Sequence, residues 1–459
     1  MEINRLAVQP GRMTAWRIVV PDRSRWRPDS RRASHAQEEH LDCVGDGRPT
    51  WLAVAFEQSG AFDPPAFTRA VLNWIDRHEA LRSLITQEGS AIQRFTVGPG
   101  AAALNGTEVG DYANTSELVR RMEEFFDAET SPLQWPAYVL VTVSRPGSTT
   151  VVLACDHFLT DGYSLALVPH EISKLYAAAI EGVAPRLPVV HSHLDYAESE
   201  RTLMAGLTVD HPAIIHWREL IAANAGQLPD FPVSIGSSKA VAQRSGRILL
   251  FDAAAAREFD RACRINGGNT MAGIFACLAM VGRALANKQE FHTVTPIQTR
   301  HDWRWRNSFG WYVGMSPVSF SAAGGFSEIM GAAKLEITRA KQTARVPFSR
   351  AMDLLEAPLR DRFMVSYSDI RSIPGSHLWA SRGVRLLASG SDDSHETYLW
   401  INRSHEGIRL TFRHPGTVTA RAAVDGYLAE LVTLAHQASH ATSERWQIGD
   451  HIILAEPKT

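Results

Sequence analysis

The chain has 459 residues, of which 45% are hydrophobic and 21% charged, and a formal net charge of −2. That length exceeds one ordinary core and predicts two large domains, while the near-neutral charge gives no basis for a nucleic-acid partner. No apolar run approaches the ~20 residues a membrane helix needs, and the N-terminus lacks the apolar block of a signal peptide. Taken in chain order, the basic stretch from Arg17 to Arg32, answered by Glu38, Glu39 and Asp42, reads as a solvated arm. Trp51–Glu57 reads as a strand. Asp63, Pro64 and Pro65 then supply an N-cap and a proline at the first helical position. Behind them Phe67, Ala70, Val71, Trp74, Ile75 and Leu81 recur at helical spacing. Ala137–Val143 and Thr150–Cys155 flank a Pro146-Gly147 turn as the arms of a hairpin. After Gly162, the residues Leu165, Val168, Ile172, Leu175, Tyr176 and Ala179 predict a further helix, in which Pro169 marks a late start or a kink.

Glu181–Pro188, with a glycine and two prolines, breaks both periods and predicts a linker. The second half repeats the mixed pattern. Thr270 is a candidate cap for a helix whose apolar face holds Met271, Ile274, Phe275, Leu278, Val281 and Leu285. Strand-like runs follow at His292–Ile297, Met315–Phe320, Phe363–Tyr367, Tyr398–Asn402 and Ile408–Arg413. Two α/β sandwiches side by side are expected, over residues 1–188 and 189–459. Cys43, Cys155, Cys263 and Cys277 are far apart and form no C-x-x-C pair. They argue against a disulfide scaffold or a zinc site and for a reducing, cytoplasmic compartment.

The most informative residues are His157, Asp161 and Gly162, which read His-x-x-x-Asp-Gly where the apolar run Thr150–Cys155 gives way to a turn. His191 and Asp195 repeat the spacing without the strand or the glycine. A neutral histidine, with a pKa near ~6.5, takes a proton from an alcohol near neutral pH. Within reach of an acceptor hydroxyl it would make that oxygen a nucleophile toward an activated acyl group. No G-x-S-x-G advertises a covalent nucleophile. Cys155, two residues from the histidine, admits a Cys–His pair, although a buried free thiol is the commoner outcome. The bland reading of the motif is a satisfied turn histidine with ordinary Asp-Gly turn chemistry. Asp161 is expected to hold the loop through an ion pair, with Arg300 as its candidate partner, and Gly162 to need backbone freedom or close approach. Arg300–Arg306 interleaves basic and aromatic residues and would suit the phosphates of coenzyme A or an acidic carrier protein, or be a surface loop of stacked Arg and Trp. His191, His193 and Asp195, and His211 with His216, lack strong ligand spacing, so solvated loop histidines are expected and no metal.

In this order and spacing the motifs resemble the condensation-domain superfamily of acyltransferases, and within it the stand-alone polyketide-associated (Pap) type. The resemblance rests on Ser34-His35-Ala36-Gln37, on Gly60–Asp63 followed by Arg77–Arg82, and on Asp156–Gly162. It continues through Arg300, Gly310–Pro317 and Phe363–Asp369. Two positions depart from the family pattern. Asp156 replaces the first His of an H-H-x-x-x-D-G motif, with little loss expected because it would face away from His157 along a strand. Ser316 stands near where condensation domains often carry Asn. The resemblance implies two chloramphenicol-acetyltransferase-like subdomains forming a pseudo-dimer, with a tunnel between them and His157 midway. It implies transfer from a thioester on coenzyme A or an acyl carrier protein to a small-molecule alcohol, such as a trehalose-like sugar, a lipid or a polyketide. His157 would act as general base, with Asp161, Gly162 and Arg300 as structural support and Trp311, Ser316 and Ser368 as substrate or donor contacts. An amide-forming condensation enzyme and a non-catalytic carrier-binding homologue are the alternatives.

Overall fold

The structure, a computed structural model, describes residues 8–43, 49–89, 91–236 and 241–439. The first half forms β1 (Gly11–Val19), β2 (Arg27–Asp29), α1 (His35–Cys43), β3 (Trp51–Ser59), α2 (Pro64–Arg77), β4 (Ser83–Glu88) and β5 (Ala91–Thr96). It continues with β6 (Ala103–Tyr112), α3 (Thr115–Glu129), β7 (Tyr138–Arg145), β8 (Ser148–Asp156) and α4 (Gly162–Glu181). The second half forms α5 (His193–Met204), α6 (Pro212–Ala223), β9 (Gln243–Asp252), α7 (Ala253–Ile265), α8 (Thr270–Ala286), β10 (Glu290–Gln298) and β11 (Val313–Ser321). It closes with α9 (Phe326–Thr343), α10 (Phe348–Leu354), β12 (Phe363–Asp369), β13 (Arg385–Ala388), β14 (Thr397–Ser404), β15 (Gly407–Pro415) and α11 (Val418–Ser439).

Two six-stranded sheets result, in the orders β13-β3-β8-β7-β1-β6 and β11-β10-β12-β14-β15-β9. In the first, the apolar faces of α2 and α4 pack on one side of the sheet and α3 on the other. Strand β8 is therefore covered on both faces, and every residue from Thr149 to Asp156 is buried. That is why its sequence is a nearly continuous apolar run rather than an alternating one. In the second half α7, α8, α9 and α11 share one large core with the sheet. No single helix among the described residues is long and apolar enough to cross a membrane.

Local signals place the elements closely. Asp63 caps α2 by accepting the Ala66 N–H at 2.8 Å. Pro169 neither delays nor ends α4, which starts at Gly162 with the proline buried inside it. Thr270 is not the cap of α8: Asn269 accepts the Ala272 N–H, and the Thr270 hydroxyl donates to Asp260 at 2.6 Å. The basic stretch is largely solvated, with Arg17, Arg23, Arg25, Arg27 and Arg32 exposed, but it is built into the fold rather than a free arm. Arg17 lies in β1, inside the sheet, and Arg31 is held by Asp29, Glu79 and Asp195. Cys155, Cys263 and Cys277 are free and buried, while the side chain of Cys43 lies outside the described residues.

The division expected at residue 188 is crossed twice. Residues 183–192 lack regular structure, but α5 beyond them returns to the first half. There Asp195, Glu198 and Glu200 accept from Arg31 Nη1, Arg32 N–H and His35 N–H. Between β12 and β14 the chain crosses over again, adds β13 antiparallel to β3, and comes back. The first half therefore does not carry all of its own sheet, whereas the six strands of the second sheet all come from the second half.

Candidate active site

The covered strand β8 fixes the position of the histidine. At its end Asp156 turns the chain into a single 3-10 turn, His157–Leu159, by accepting the Phe158 N–H at 2.8 Å. The His157 N–H donates to Thr50 O at 3.0 Å, so the backbone is tied on both sides. The ring is only partly exposed. Its Nδ1 is buried with no hydrogen-bond partner, which leaves Nε2 as the nitrogen open to a ligand. Trp311, from the second half, lies against the ring at 4.1 Å between centroids, tilted by 43°. Burial, and then the neighbouring His40, push the His157 pKa down to about 4, so the imidazole is neutral at pH 7.

Asp161 faces the other way. One carboxylate oxygen accepts the Ser164 N–H at 2.7 Å and caps α4; the other accepts the Tyr312 N–H at 2.9 Å. Arg300 Nη2 lies 3.2 and 3.3 Å from the two oxygens and donates to Ser164 Oγ at 2.6 Å. Its guanidinium also sits over the Tyr312 ring at 4.0 Å. Arg300 and Asp161 are 5% and 1% exposed, so this is a buried pair spanning the two halves. Gly162 needs neither special backbone freedom nor close approach. It has no left-handed φ, and a Cβ built on it would meet nothing within 4 Å.

A strap from the second half, residues 308–312, is sewn into the first. The Phe309 N–H donates to His78 Nδ1 at 3.3 Å, and His78 Nε2 donates to buried Glu171 at 2.7 Å. Glu171 also accepts from Trp74 Nε1 and Arg77 Nε. Gly310 bonds Ser164 Oγ through both its N–H and its carbonyl. A Cβ at Gly310 would overlap the His193 ring, whose Nε2 donates to Trp311 O at 3.0 Å. The Arg77-His78 pair thus anchors the strap that presents Trp311 to His157.

Sequence reasoning missed His40, Thr50 and the use of Asp156. Asp156 has partners of its own: its carboxylate lies 2.9 Å from His40 Nε2 and accepts the Thr50 hydroxyl at 2.5 Å. The His40 ring stands 6.1 Å from His157 and 5.6 Å from Trp311. Gln37, from the opening motif, donates to Phe158 O at 2.8 Å and steadies the same turn. The signal for α1 was a capping box, Ser34 with Gln37, whose reciprocal bonds are both made. Other candidates lie elsewhere. Ser316 is buried on β11 with its hydroxyl 3.0 Å from that of Thr343, in a network with His216 and Glu336. Ser368 is exposed at the end of β12. No hydrogen bond joins either to His157. Cys155 packs in the first half's core, where burial raises its thiol pKa well above the ordinary range; that removes a Cys–His nucleophile. His193 and His216 are buried in protein hydrogen bonds rather than solvated. No cluster of three or more His, Cys, Asp or Glu among the described residues suits a metal ion. In the basic and aromatic segment, Trp305 is buried, Arg304 folds onto Asp302, and Trp303 stays 71% exposed.

Comparison with known proteins shows the family and the fold. The condensation-domain family model matches residues 47–363. The acyltransferase PapA3 of Mycobacterium tuberculosis is 24% identical over 405 residues, covering 86% of this chain and 85% of the relative. The trehalose-2-sulfate acyltransferase PapA2 of Mycobacterium bovis is 27% identical over 319 residues, 67% of this chain and 68% of the relative. The solved structure of a PapA2 acyl transferase superposes with a TM-score of 0.87 at 23% identity, covering 96% of this chain and 99% of that one. With a neutral histidine at the strand end, a strap crossing from the other half and a family match over most of its length, the chain belongs to the condensation-domain family, as a Pap-type acyltransferase.

Proposed function

We propose that the protein is an O-acyltransferase that moves an acyl group from a thioester, on coenzyme A or a phosphopantetheinyl carrier protein, to a hydroxyl of a trehalose-like sugar, a lipid or a polyketide. One observation carries the reading: His157 is neutral, its Nδ1 is sealed, and its Nε2 opens at the seam where Trp311 of the second half meets His40 of the first. The sugar acceptor is supported by the name of the PapA2 relative. Free, buried thiols suit a reducing cytoplasm, where acyl thioesters are made.

In this mechanism Nε2 takes the proton of the acceptor hydroxyl as its oxygen attacks the thioester carbon. The carbonyl π electrons move to oxygen, and collapse of the tetrahedral centre breaks the C–S bond. The departing thiolate takes the proton back from the imidazolium, so the enzyme ends as it began. No covalent acyl-enzyme is needed. Asp161 and Arg300 touch none of the reacting atoms; they hold α4 and the strap in register. The test is thiol release from acyl-CoA or an acylated carrier with sugar, lipid or amine acceptors, with the product identified by mass spectrometry. His157→Ala is expected to lose a factor of about 10²–10⁴. Undiminished turnover in that variant rejects the mechanism, and an amide product from an amine would move the protein to the condensation reaction.

A further inference from the structure

His40 belongs to no motif singled out in the sequence, yet it is held as firmly as the base. Its Nε2 lies 2.9 Å from Asp156 Oδ1 and 3.3 Å from Thr50 Oγ1. The Thr50 hydroxyl proton is already committed to Asp156 Oδ2. Only the imidazole can supply the proton in the His40–Asp156 bond, so Nε2 is the protonated nitrogen and the ring orientation is fixed. Nδ1 then remains. It has no partner among the described residues, and it is not among the buried unpartnered atoms, so it is accessible. The His40 side chain is 10% exposed. Two neighbouring rings, each with one nitrogen that has no hydrogen-bond partner among the described residues and is not sealed in packing, thus stand 6.1 Å apart with Trp311 beside both.

We propose that His40 is a specificity-determining residue: its Nδ1 binds a second hydroxyl of the acceptor, adjacent to the one His157 deprotonates. The acceptor class is then a vicinal diol, as in a sugar ring, rather than a simple alcohol. This rests on the O-acyltransferase reading and narrows it. A hydroxyl suits the position because it donates to a neutral Nδ1 and accepts from a protonated one, so it is held in either state. A carbonyl or an amide N–H would fit only one. The separation of the rings matches two neighbouring oxygens each bonded to its own nitrogen. Asp156, where the family pattern has a histidine, is what makes the arrangement possible.

The experiment measures kcat/KM with one acyl-CoA for trehalose and for its monodeoxy analogues, in the wild type, His40→Phe and His40→Gln. In the wild type, the analogue lacking the hydroxyl next to the acylated one is expected to fall about tenfold or more. In His40→Phe, trehalose itself should fall to that level, with little further loss on the analogue. His40→Gln keeps a partner for Asp156 and serves if the Phe variant does not fold. Equal fold-losses for trehalose and analogue in the variants overturn the assignment, as does a wild type that acylates simple alcohols as well as the sugar or leaves trehalose untouched. His157→Ala, run in parallel, reports on the base alone: turnover there sinks the general-base reading whatever the His40 variants do.

Discussion

The hairpins β7–β8 and β14–β15 each run into a long helix, α4 and α11, and each has a histidine at or near the end of its second strand, His157 and His414. Their surroundings are opposite. His414 is 3% exposed, its Nδ1 lies 2.7 Å from the Pro415 carbonyl, and its ring stacks on Phe412 at 13°. Among the described residues the buried Nδ1 of His157 has no hydrogen-bond partner, and its ring meets a tryptophan from the other half. The helix starts differ as well. Thr417 accepts the Ala420 N–H at 3.1 Å, a local cap, whereas Asp161 caps α4 and also binds the strap and Arg300. A strand-terminal histidine is thus available for chemistry when its nitrogens are left unpaired and another part of the chain builds the opposite wall.

The contrast is broken most directly by truncating both histidines. His157→Ala should lose about 10²–10⁴ in kcat/KM with the fold retained by circular dichroism. His414→Ala should keep activity within a few-fold and instead lower stability by about 1–3 kcal/mol, because a buried carbonyl loses its donor. Next in size is Arg300→Ala, which leaves Asp161 buried beside no cation and should cost about 3–5 kcal/mol in urea denaturation.

The pH profile sharpens the difference further. With its pKa pushed down to about 4, His157 stays unprotonated through neutral and mildly acidic pH. The kcat/KM should be flat above pH ~5 and fall as pH drops through ~4, whereas an ordinary histidine would lose half its activity near ~6.5. The sign for stability follows the same way: the unfolded chain binds this proton first. His157 thus contributes stability that is present above ~6.5 and lost as pH falls toward about 4. A kcat/KM midpoint near 6.5 would contradict the buried, neutral ring. Smaller still, Thr417→Ala should cost about 1 kcal/mol, far less than loss of the Arg300 pair. Gly162→Ala should leave stability unchanged or raise it by up to ~1 kcal/mol. If the open space beside it receives substrate, KM rises while the melting curve does not move.

Much of this was legible in the chain because it is local. The Asp63 cap, the Pro146-Gly147 turn and the apolar runs of β8, β12 and β14 are each settled within a few residues by caps, turn chemistry and periodicity. What stayed hidden depends on partners far away in sequence. Strand β1 was obscured by Arg17 and its basic neighbours, since nothing in that stretch reveals that β6 and β7 flank it. Four residues at 385–388 carry no strand signal until β3 offers them an edge. His40 and Asp156 are 116 positions apart, and neither residue type nor spacing announces their bond. Ser316 illustrates the converse, a polar residue near a motif whose hydroxyl is spent inside a packed network.

The short strand β13 has a consequence for how the molecule comes apart. Because residues from late in the chain complete the edge of the early sheet, and α5 grips the early half through Arg31, a cut in the exposed stretch around Val183 and Val189 should leave two pieces that migrate together. Produced separately, the pieces would each present an unfilled edge or an orphaned helix, and each would be expected to clump rather than persist as a soluble unit. Mixing them during refolding is where activity should reappear.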